Sequence, residues 1–314
     1  MQELDFFHTK IRTRHQLVCN DASTGIELWI KREDEIHPVV SGNKFRKLKY
    51  NLLQAQKEGK TKLLTFGGAY SNHIAATAKA ARLSGLQSIG IIRGDELAKN
   101  FPAVLQENST LKFAHLNGMQ FYFETRENYR NKYASSQLEK YKNLFGEVFV
   151  IPEGGTNALA IQGCKEILSN EDSKFDVICC SAGTGGTAAG LIEAASTHQE
   201  VIAFSALKGN FLKDEIKIWT SKTNWQLNTD FHLGGYAKVS EELIQFINSV
   251  YTTYQIPLDP IYTGKMLFGL FQLIKSGYFS ENTRILAIHT GGLQGVESMN
   301  KKLLSQNKEI ITFK

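Results

Sequence analysis

Val177-Ile178-Cys179-Cys180-Ser181-Ala182-Gly183-Thr184-Gly185-Gly186-Thr187 is the stretch that decides the fold. Its first residues form an apolar run of strand length. A loop with three glycines and three hydroxyl side chains between 181 and 187 follows, and a helical pattern runs on from Thr187 to 195. A buried strand that feeds a helix through a glycine loop is half of a parallel α/β unit. Glycines let the backbone approach an anion, and the amides at the helix start point at it. The loop has no Gly-Lys-Ser/Thr ending, so it does not read as a nucleoside-triphosphate loop. Gly183, Gly185 and Ala188 do match the spacing of a dinucleotide fingerprint. That fingerprint wants an acid near the end of the next strand. Here that strand ends in Ser205-Ala206-Leu207-Lys208, so a compact phosphate cup is the better reading.

Outward from this stretch, strand-like runs at 62–66, 88–92, 119–123, 148–151, 176–180, 201–206 and 284–288 alternate with helical patterns. The helices are expected at 74–83, 101–116, a polar stretch to about 144, 158–168, 187–195, 211–219, 241–251, 265–275 and the C-terminus. Asp21-Ala22-Ser23-Thr24 reads as a polar turn between two further strand-like stretches. These are too many strands for one comfortable sheet in 314 residues. The expectation is an α/β chain with two open, mostly parallel sheet domains and helices on both faces.

Composition narrows the function classes. Net charge is +5, with basic residues scattered among acidic ones and no long basic block, so nucleic acid is not an expected partner. No apolar run is long enough to span a bilayer. Residues 1–10 carry acids and no continuous apolar core, so no signal peptide is expected. Cys19, Cys164, Cys179 and Cys180 lack metal-ligand spacing, and Cys179-Cys180 sit inside the apolar strand. They read as small core residues of a cytoplasmic protein with no metal site.

Three loops join the first. Gly67-Gly68-Ala69-Tyr70-Ser71-Asn72-His73 lies between a strand and a helix. Ser71 could be a mere N-cap there, but a cap needs neither the paired glycines nor the following Asn-His. The loop reads as a second anion site suited to a substrate carboxylate, with Asn72 able to bond a phenolic oxygen. Asp259-Pro260-Ile261-Tyr262-Thr263-Gly264-Lys265 and His289-Thr290-Gly291-Gly292 are weaker signals. A tyrosine before a helix is commonly packing, and His289 is most simply a satisfied structural histidine. Finally, Ser41-Gly42-Asn43-Lys44-Phe45-Arg46-Lys47 opens a helix. Phe45, Leu48 and Leu52 share one face, and Lys44, Lys47 and Asn51 share another. In parallel sheets such loops gather at the carboxyl ends of strands. A lysine, a phosphate cup, a carboxylate site and nearby hydroxyls fit pyridoxal phosphate, which forms a Schiff base with lysine and anchors through its phosphate.

In these motifs and their order, from about Trp29 to Gly295, the chain resembles the family of 1-aminocyclopropane-1-carboxylate deaminase and D-cysteine desulfhydrase, fold type II pyridoxal phosphate enzymes related to tryptophan synthase β. The resemblance implies pyridoxal phosphate in the cleft between two domains. The larger would comprise 1–48 plus 154–314, and the smaller 49–153. Lys44 would carry the cofactor and act as general base. Lys47 and the backbone of Ala182, Gly183, Thr184, Gly185, Gly186 and Thr187 would hold the phosphate. Asn72 would bond the ring oxygen. Ser71, Asn72 and His73 would receive a small amino-acid substrate, with Ser71 also a nucleophile in this family. Tyr236 and Tyr262 would lie beside the substrate as acids. A homodimer is the usual assembly.

Two residues depart from the true deaminases, which have glutamate after the tyrosine of the third motif and leucine in the fourth. Here those positions are Thr263 and Thr290, both read as facing the cofactor ring. A hydroxyl beside the pyridine nitrogen leaves it largely neutral. That suits α,β-elimination, where the leaving group departs as charge develops, better than opening an unactivated cyclopropane. The expected activity is therefore a D-cysteine desulfhydrase-like elimination giving pyruvate, ammonia and sulfide. The enzyme alternatives are the deaminase itself and a D-serine-type dehydratase. The non-enzyme alternative is a phosphate- or nucleotide-binding module, which would have no use for Lys44.

Overall fold

The computed structural model describes residues 6, 7 and 11–313. Of the 1–10 segment read for a signal peptide, all but Phe6 and Phe7 lies outside the described residues. The chain opens with β1 (His15–Asp21) and β2 (Ile26–Lys31), an antiparallel hairpin. Its turn is the expected polar one: the Asp21 carboxylate accepts from Ser23 N at 3.0 Å and from the Thr24 hydroxyl at 2.8 Å.

Next come α1 (Asn43–Lys57), β3 (Lys62–Gly67), α2 (Asn72–Leu83) and β4 (Gln87–Arg93). They are followed by α3 (Phe101–Glu107), α4 (Ser109–Leu116), β5 (Met119–Glu124), α5 (Arg126–Arg130), α6 (Ser135–Phe145) and β6 (Phe149–Ile151). The second half runs α7 (Ala158–Lys165), β7 (Val177–Ala182), α8 (Gly186–Ala194), β8 (Glu200–Ser205), α9 (Phe211–Lys217) and β9 (Trp225–Asn228). It closes with α10 (Glu241–Tyr254), α11 (Thr263–Lys275), β10 (Arg284–Ile288) and α12 (Gly295–Leu304).

Two sheets result. One has the order β1-β2-β10-β7-β8-β9, and the other β5-β4-β3-β6. Every pairing except the first hairpin is parallel. This is the expected α/β class. All six residues of β7 are buried, as a parallel strand covered on both faces requires.

Three expectations on the elements need correcting. The single helix at 101–116 is two helices. Asn108 leaves the helical region with ψ of 99°, and its side chain accepts from Leu111 N at 2.9 Å to cap the second. The polar helix before 144 likewise breaks between α5 and α6. Strand β9 was not anticipated, because a half-buried edge of four residues, Trp-Gln-Leu-Asn, carries too little apolar signal.

Helix α1 fixes the site. Phe45, Leu48 and Leu52 are almost fully buried, each stabilising the helix's seat by roughly 1.5–3 kcal/mol. Arg46 forms a bidentate buried pair with Glu33, at 2.8 and 2.9 Å. Helix α7 passes so close that a Cβ on Gly163 would lie 1.9 Å from the Arg46 carbonyl oxygen. The opening turn is equally tight. Gly42 has φ of 54°, and a Cβ there would sit 2.1 Å from the Thr290 carbonyl. Helix α1 can therefore neither rotate nor retreat, and Lys44 and Lys47 point where the packing sends them.

Candidate active site

A cavity of about 490 Å³ is lined by the start of α1 and by the loops that follow β3, β6, β7 and β10. The carboxyl ends of both sheets thus face it, as parallel α/β geometry predicts. Its walls include Lys44, Lys47, Ser71, Asn72, His73, Ala182, Gly183, Thr184, Gly185, Thr187, Tyr236, Tyr262 and Thr290. Of the residues assigned to the site from sequence, Gly186 and Thr263 do not line it, so the expectation that Thr263 faces the ring needs correcting. Both lie just behind, within the first turns of α8 and α11.

Lys44 is half-buried, and its pKa falls to about 7 because burial disfavours the charge and the neighbouring Lys47 ammonium repels it. Lys47 is buried too, and desolvation lowers its pKa. Its ammonium donates to the Gly154 carbonyl at 3.1 Å, the Thr156 hydroxyl at 3.0 Å and the Thr184 hydroxyl at 3.3 Å. The carboxylates near α1 are already engaged, Glu33 by Arg46 and Glu166 by Lys49. Among the described residues neither ammonium has an ion-pair partner. Two cations side by side in a buried cavity are costly until an anion joins them.

The glycine loop lines the same cavity as the two lysines. Helix α8 has no side-chain cap, so its first-turn amides have no intrahelical acceptor. A Cβ on Gly186 would come within 3.1 Å of the Lys47 nitrogen and 2.7 Å of the Thr156 hydroxyl, so this glycine is what lets the lysine reach the loop. Asn43 steadies the far side by donating to the Thr187 hydroxyl at 2.9 Å.

Helix α2 opens at the loop that the sequence offers as a second anion site. Ser71 occupies its N-cap position but makes no capping bond, so the simple cap reading fails and the hydroxyl is left at the cavity wall. The Asn72 amide donates to the Gly292 carbonyl at 3.0 Å, and its oxygen has no partner among the described residues. The state of His73 follows from its neighbours. The Thr65 hydroxyl has one proton, which goes to the Ile151 carbonyl at 2.9 Å, so it accepts from His73 Nε2–H at 2.8 Å. Nδ1 of the neutral ring therefore carries a lone pair, buried and without a partner among the described residues. Burial and the two lysines hold the ring neutral, well below its usual pKa.

On the opposite wall, the rings of Tyr236 and Tyr262 meet edge to face at 6.3 Å. Burial raises the Tyr262 pKa well above its usual value, so the hydroxyl keeps its proton. Behind it lies a buried chain of hydroxyls: Thr263 to Thr290 at 3.4 Å, and Thr290 to Ser181 at 3.2 Å. The Asp259 carboxylate is spent on the backbone amides of Ile261, Tyr262 and Thr263, at 2.7–2.9 Å, which caps α11. His289 is the satisfied structural histidine expected: Nε2 donates to Pro257 O at 2.6 Å, and Nδ1 accepts from Gly291 N at 3.1 Å.

Sequence reasoning missed Thr156 and the Gly154 carbonyl, which complete the cradle around Lys47. The signal was available, since Glu153-Gly154-Gly155-Thr156 follows β6 as another glycine-rich loop at a strand end. It also missed Arg93, at the end of β4, on the cavity wall.

Comparison with known proteins accords with this geometry. The family model described as pyridoxal-phosphate dependent enzyme matches residues 13–291. The chain belongs to this family. A putative 1-aminocyclopropane-1-carboxylate deaminase of Pyrococcus horikoshii is 32% identical over 300 residues, covering 90% of this chain and 89% of the relative. The bifunctional D-cysteine desulfhydrase/1-aminocyclopropane-1-carboxylate deaminase, mitochondrial, of Arabidopsis thaliana is 31% identical, covering 87% of this chain and 74% of its own. The solved structure of an ACC deaminase homologue superposes with a TM-score of 0.80 at 30% identity, over 97% of this chain and 98% of the other.

As a pyridoxal-phosphate dependent enzyme of the deaminase and desulfhydrase group, the chain takes pyridoxal phosphate as cofactor and a small amino acid as substrate. The cavity fits both. A phosphate dianion would relieve the unpaired ammoniums and occupy the uncapped start of α8. Among the described residues no helix is long and apolar enough to cross a membrane.

Proposed function

We propose that this enzyme eliminates the β-substituent of a small amino acid in the manner of a D-cysteine desulfhydrase, releasing pyruvate, ammonia and sulfide. The observation that carries the reading is that the hydroxyl residues Thr290 and Ser181 line the cavity, with Thr263 hydrogen-bonded behind Thr290, Asp259 turned to the backbone and no carboxylate among the three. Hydroxyls beside a pyridine nitrogen leave it largely neutral. That arrangement suits a substrate whose β-substituent departs as charge develops.

When bound, pyridoxal phosphate supplies the electron sink for charge at the substrate's Cα. The protein does the rest. Lys47, Thr156, Thr184 and the amides of 182–187 hold the phosphate, and Asn72 meets the ring oxygen. Ser71 and the first amides of α2 orient the substrate carboxylate, and His73 forms the wall behind them. Lys44, with a pKa of about 7, has a neutral amine available to take the Cα proton near physiological pH. Tyr262, paired with Tyr236 and still protonated, gives a proton to the departing sulfur.

The reading includes a cytoplasmic homodimer. It also takes 1–48 plus 154–314 as the cofactor-binding domain and 49–153 as the smaller one. The four strands of the second sheet, all within 62–151, support that division. Relatives named for 1-aminocyclopropane-1-carboxylate deamination make that activity the second reading. The discriminating experiment measures ammonia and the 2-oxo acid released from D-cysteine, L-cysteine, D-serine and aminocyclopropane carboxylate side by side, pyruvate from the first three and 2-oxobutyrate from the last, with sulfide followed for the two cysteines. The proposal expects D-cysteine to dominate in kcat/KM. Turnover of the cyclopropane substrate with none of D-cysteine would overturn it.

A further inference from the structure

Lys265 is almost fully buried on α11, one turn beyond Tyr262 and Thr263. Among the described residues it has no carboxylate at ion-pair distance. Its ammonium is instead given to two backbone carbonyls, His232 O at 2.7 Å and Gly235 O at 2.8 Å. Both carbonyls already close turns of the 229–239 loop: Gly235 N bonds His232 O at 3.0 Å, and Lys238 N bonds Gly235 O at 3.2 Å. Tyr236 follows directly on the second anchor, inside the 235–238 turn, half-exposed at the cavity mouth.

The loop is held under strain. Leu233 and Ala237, neither a glycine, have φ of 48° and 54°. Side chains avoid that region unless their surroundings impose it. Helix α11 supplies a second hold one turn on. Gly269 leaves room for the Phe231 ring, which a Cβ would meet at 2.7 Å.

We propose that Lys265 is a positioning residue that clamps two consecutive turns, the second of which contains Tyr236, and so keeps this tyrosine over the cavity. The inference rests on reading Tyr236 as a site residue. It adds a device that the reaction itself does not require. Burial lowers the Lys265 pKa to about 8, with Asp259 opposing the shift, so the clamp is charged below pH 8 and loses its charge as pH rises through it. The other charged or titratable groups at the loop are Asp230 and Tyr236 within it, Tyr262 packed on Tyr236, His232, whose Nδ1 accepts from Gly234 N, and the side chains of Lys208 and Lys238, which lie against Gly235 and Gly234.

The test is amide hydrogen exchange of the holoenzyme, with kcat/KM measured in parallel. Lys265→Met is expected to raise exchange at 231–238 about tenfold while 263–275 stays protected. It should also lower kcat/KM about 10–100-fold with the cofactor's visible absorbance retained. In the wild type, exchange at 231–238, corrected for its intrinsic rate, should rise between pH 7 and pH 9, and Lys265→Arg should abolish that rise. Unchanged loop exchange in Lys265→Met, or loss of protection in the loop and α11 together, overturns the clamp. Should Lys265→Met fail to fold, the wild-type pH series decides alone, and a flat response overturns the clamp. Tyr236→Phe separates the two claims. Wild-type turnover in that variant refutes the role of Tyr236, whereas the exchange data judge the clamp.

Discussion

Replacing Lys47 with methionine should separate what this residue does for the cofactor from what it does for the fold. Methionine keeps most of the stem that packs between α1 and the glycine loop, and it removes the ammonium. In the cofactor-free protein that ammonium is desolvated and repelled by Lys44, and it gains only three neutral oxygens in return. Its lowered pKa means that folding opposes its charge. Removing it should therefore change apo stability by less than about 1 kcal/mol, since relief of desolvation offsets the lost hydrogen bonds. Binding of the cofactor should respond in the opposite sense. A charge-assisted bond to phosphate contributes roughly 1.5–3 kcal/mol, which is about 10–150-fold in Kd. The assay titrates apo protein with pyridoxal phosphate, following absorbance, and compares apo unfolding in urea. A Kd within about twofold of wild type would refute the assignment of Lys47 to the phosphate. A fall in apo stability above roughly 3 kcal/mol would show that Lys47 is a structural residue instead.

Further consequences follow from the same geometry. Because the folded-state pKa of Lys44 is depressed to about 7, the folded apo protein binds fewer protons than the unfolded chain above that value. Apo stability should rise with pH between 7 and the unfolded lysine pKa of about 10.4, and Lys44→Met should flatten part of that slope in thermal melts. Gly163→Ala would drive a Cβ into the Arg46 carbonyl, so α1 and α7 must part. It should cost about 3 kcal/mol or more by urea unfolding and weaken cofactor binding with it. Glu33→Ala leaves the buried Arg46 guanidinium without its bidentate partner and should cost about 3–5 kcal/mol in the same assay.

Much of this site could be read from the chain before any coordinates. The glycine loop at 181–187 announced itself because three glycines and three hydroxyls exceed what a turn needs. The polar pattern Lys44, Lys47, Asn51 pointed inward for a reason visible in its complement, the apolar stripe Phe45, Leu48, Leu52. Other features depend on contacts far apart in sequence. The Lys47 cradle reaches residues more than 100 positions away, and no local pattern marks Thr156 as its partner. The tautomer of His73 is set by a threonine on β3 and a carbonyl on β6. The Lys265 clamp joins a helix to a loop some 30 residues upstream through backbone carbonyls, which every residue possesses. The break at Asn108 was hidden because two short helices with apolar residues on both sides imitate one long one.

The central claim is that Lys44, and no other buried lysine, carries the cofactor. Borohydride reduction of the holoenzyme, followed by peptide mass mapping, tests it directly. The account predicts a single pyridoxyl adduct on Lys44, absent from a Lys44→Ala variant. An adduct on Lys47 or Lys265, or a holoenzyme that yields no adduct, would contradict it.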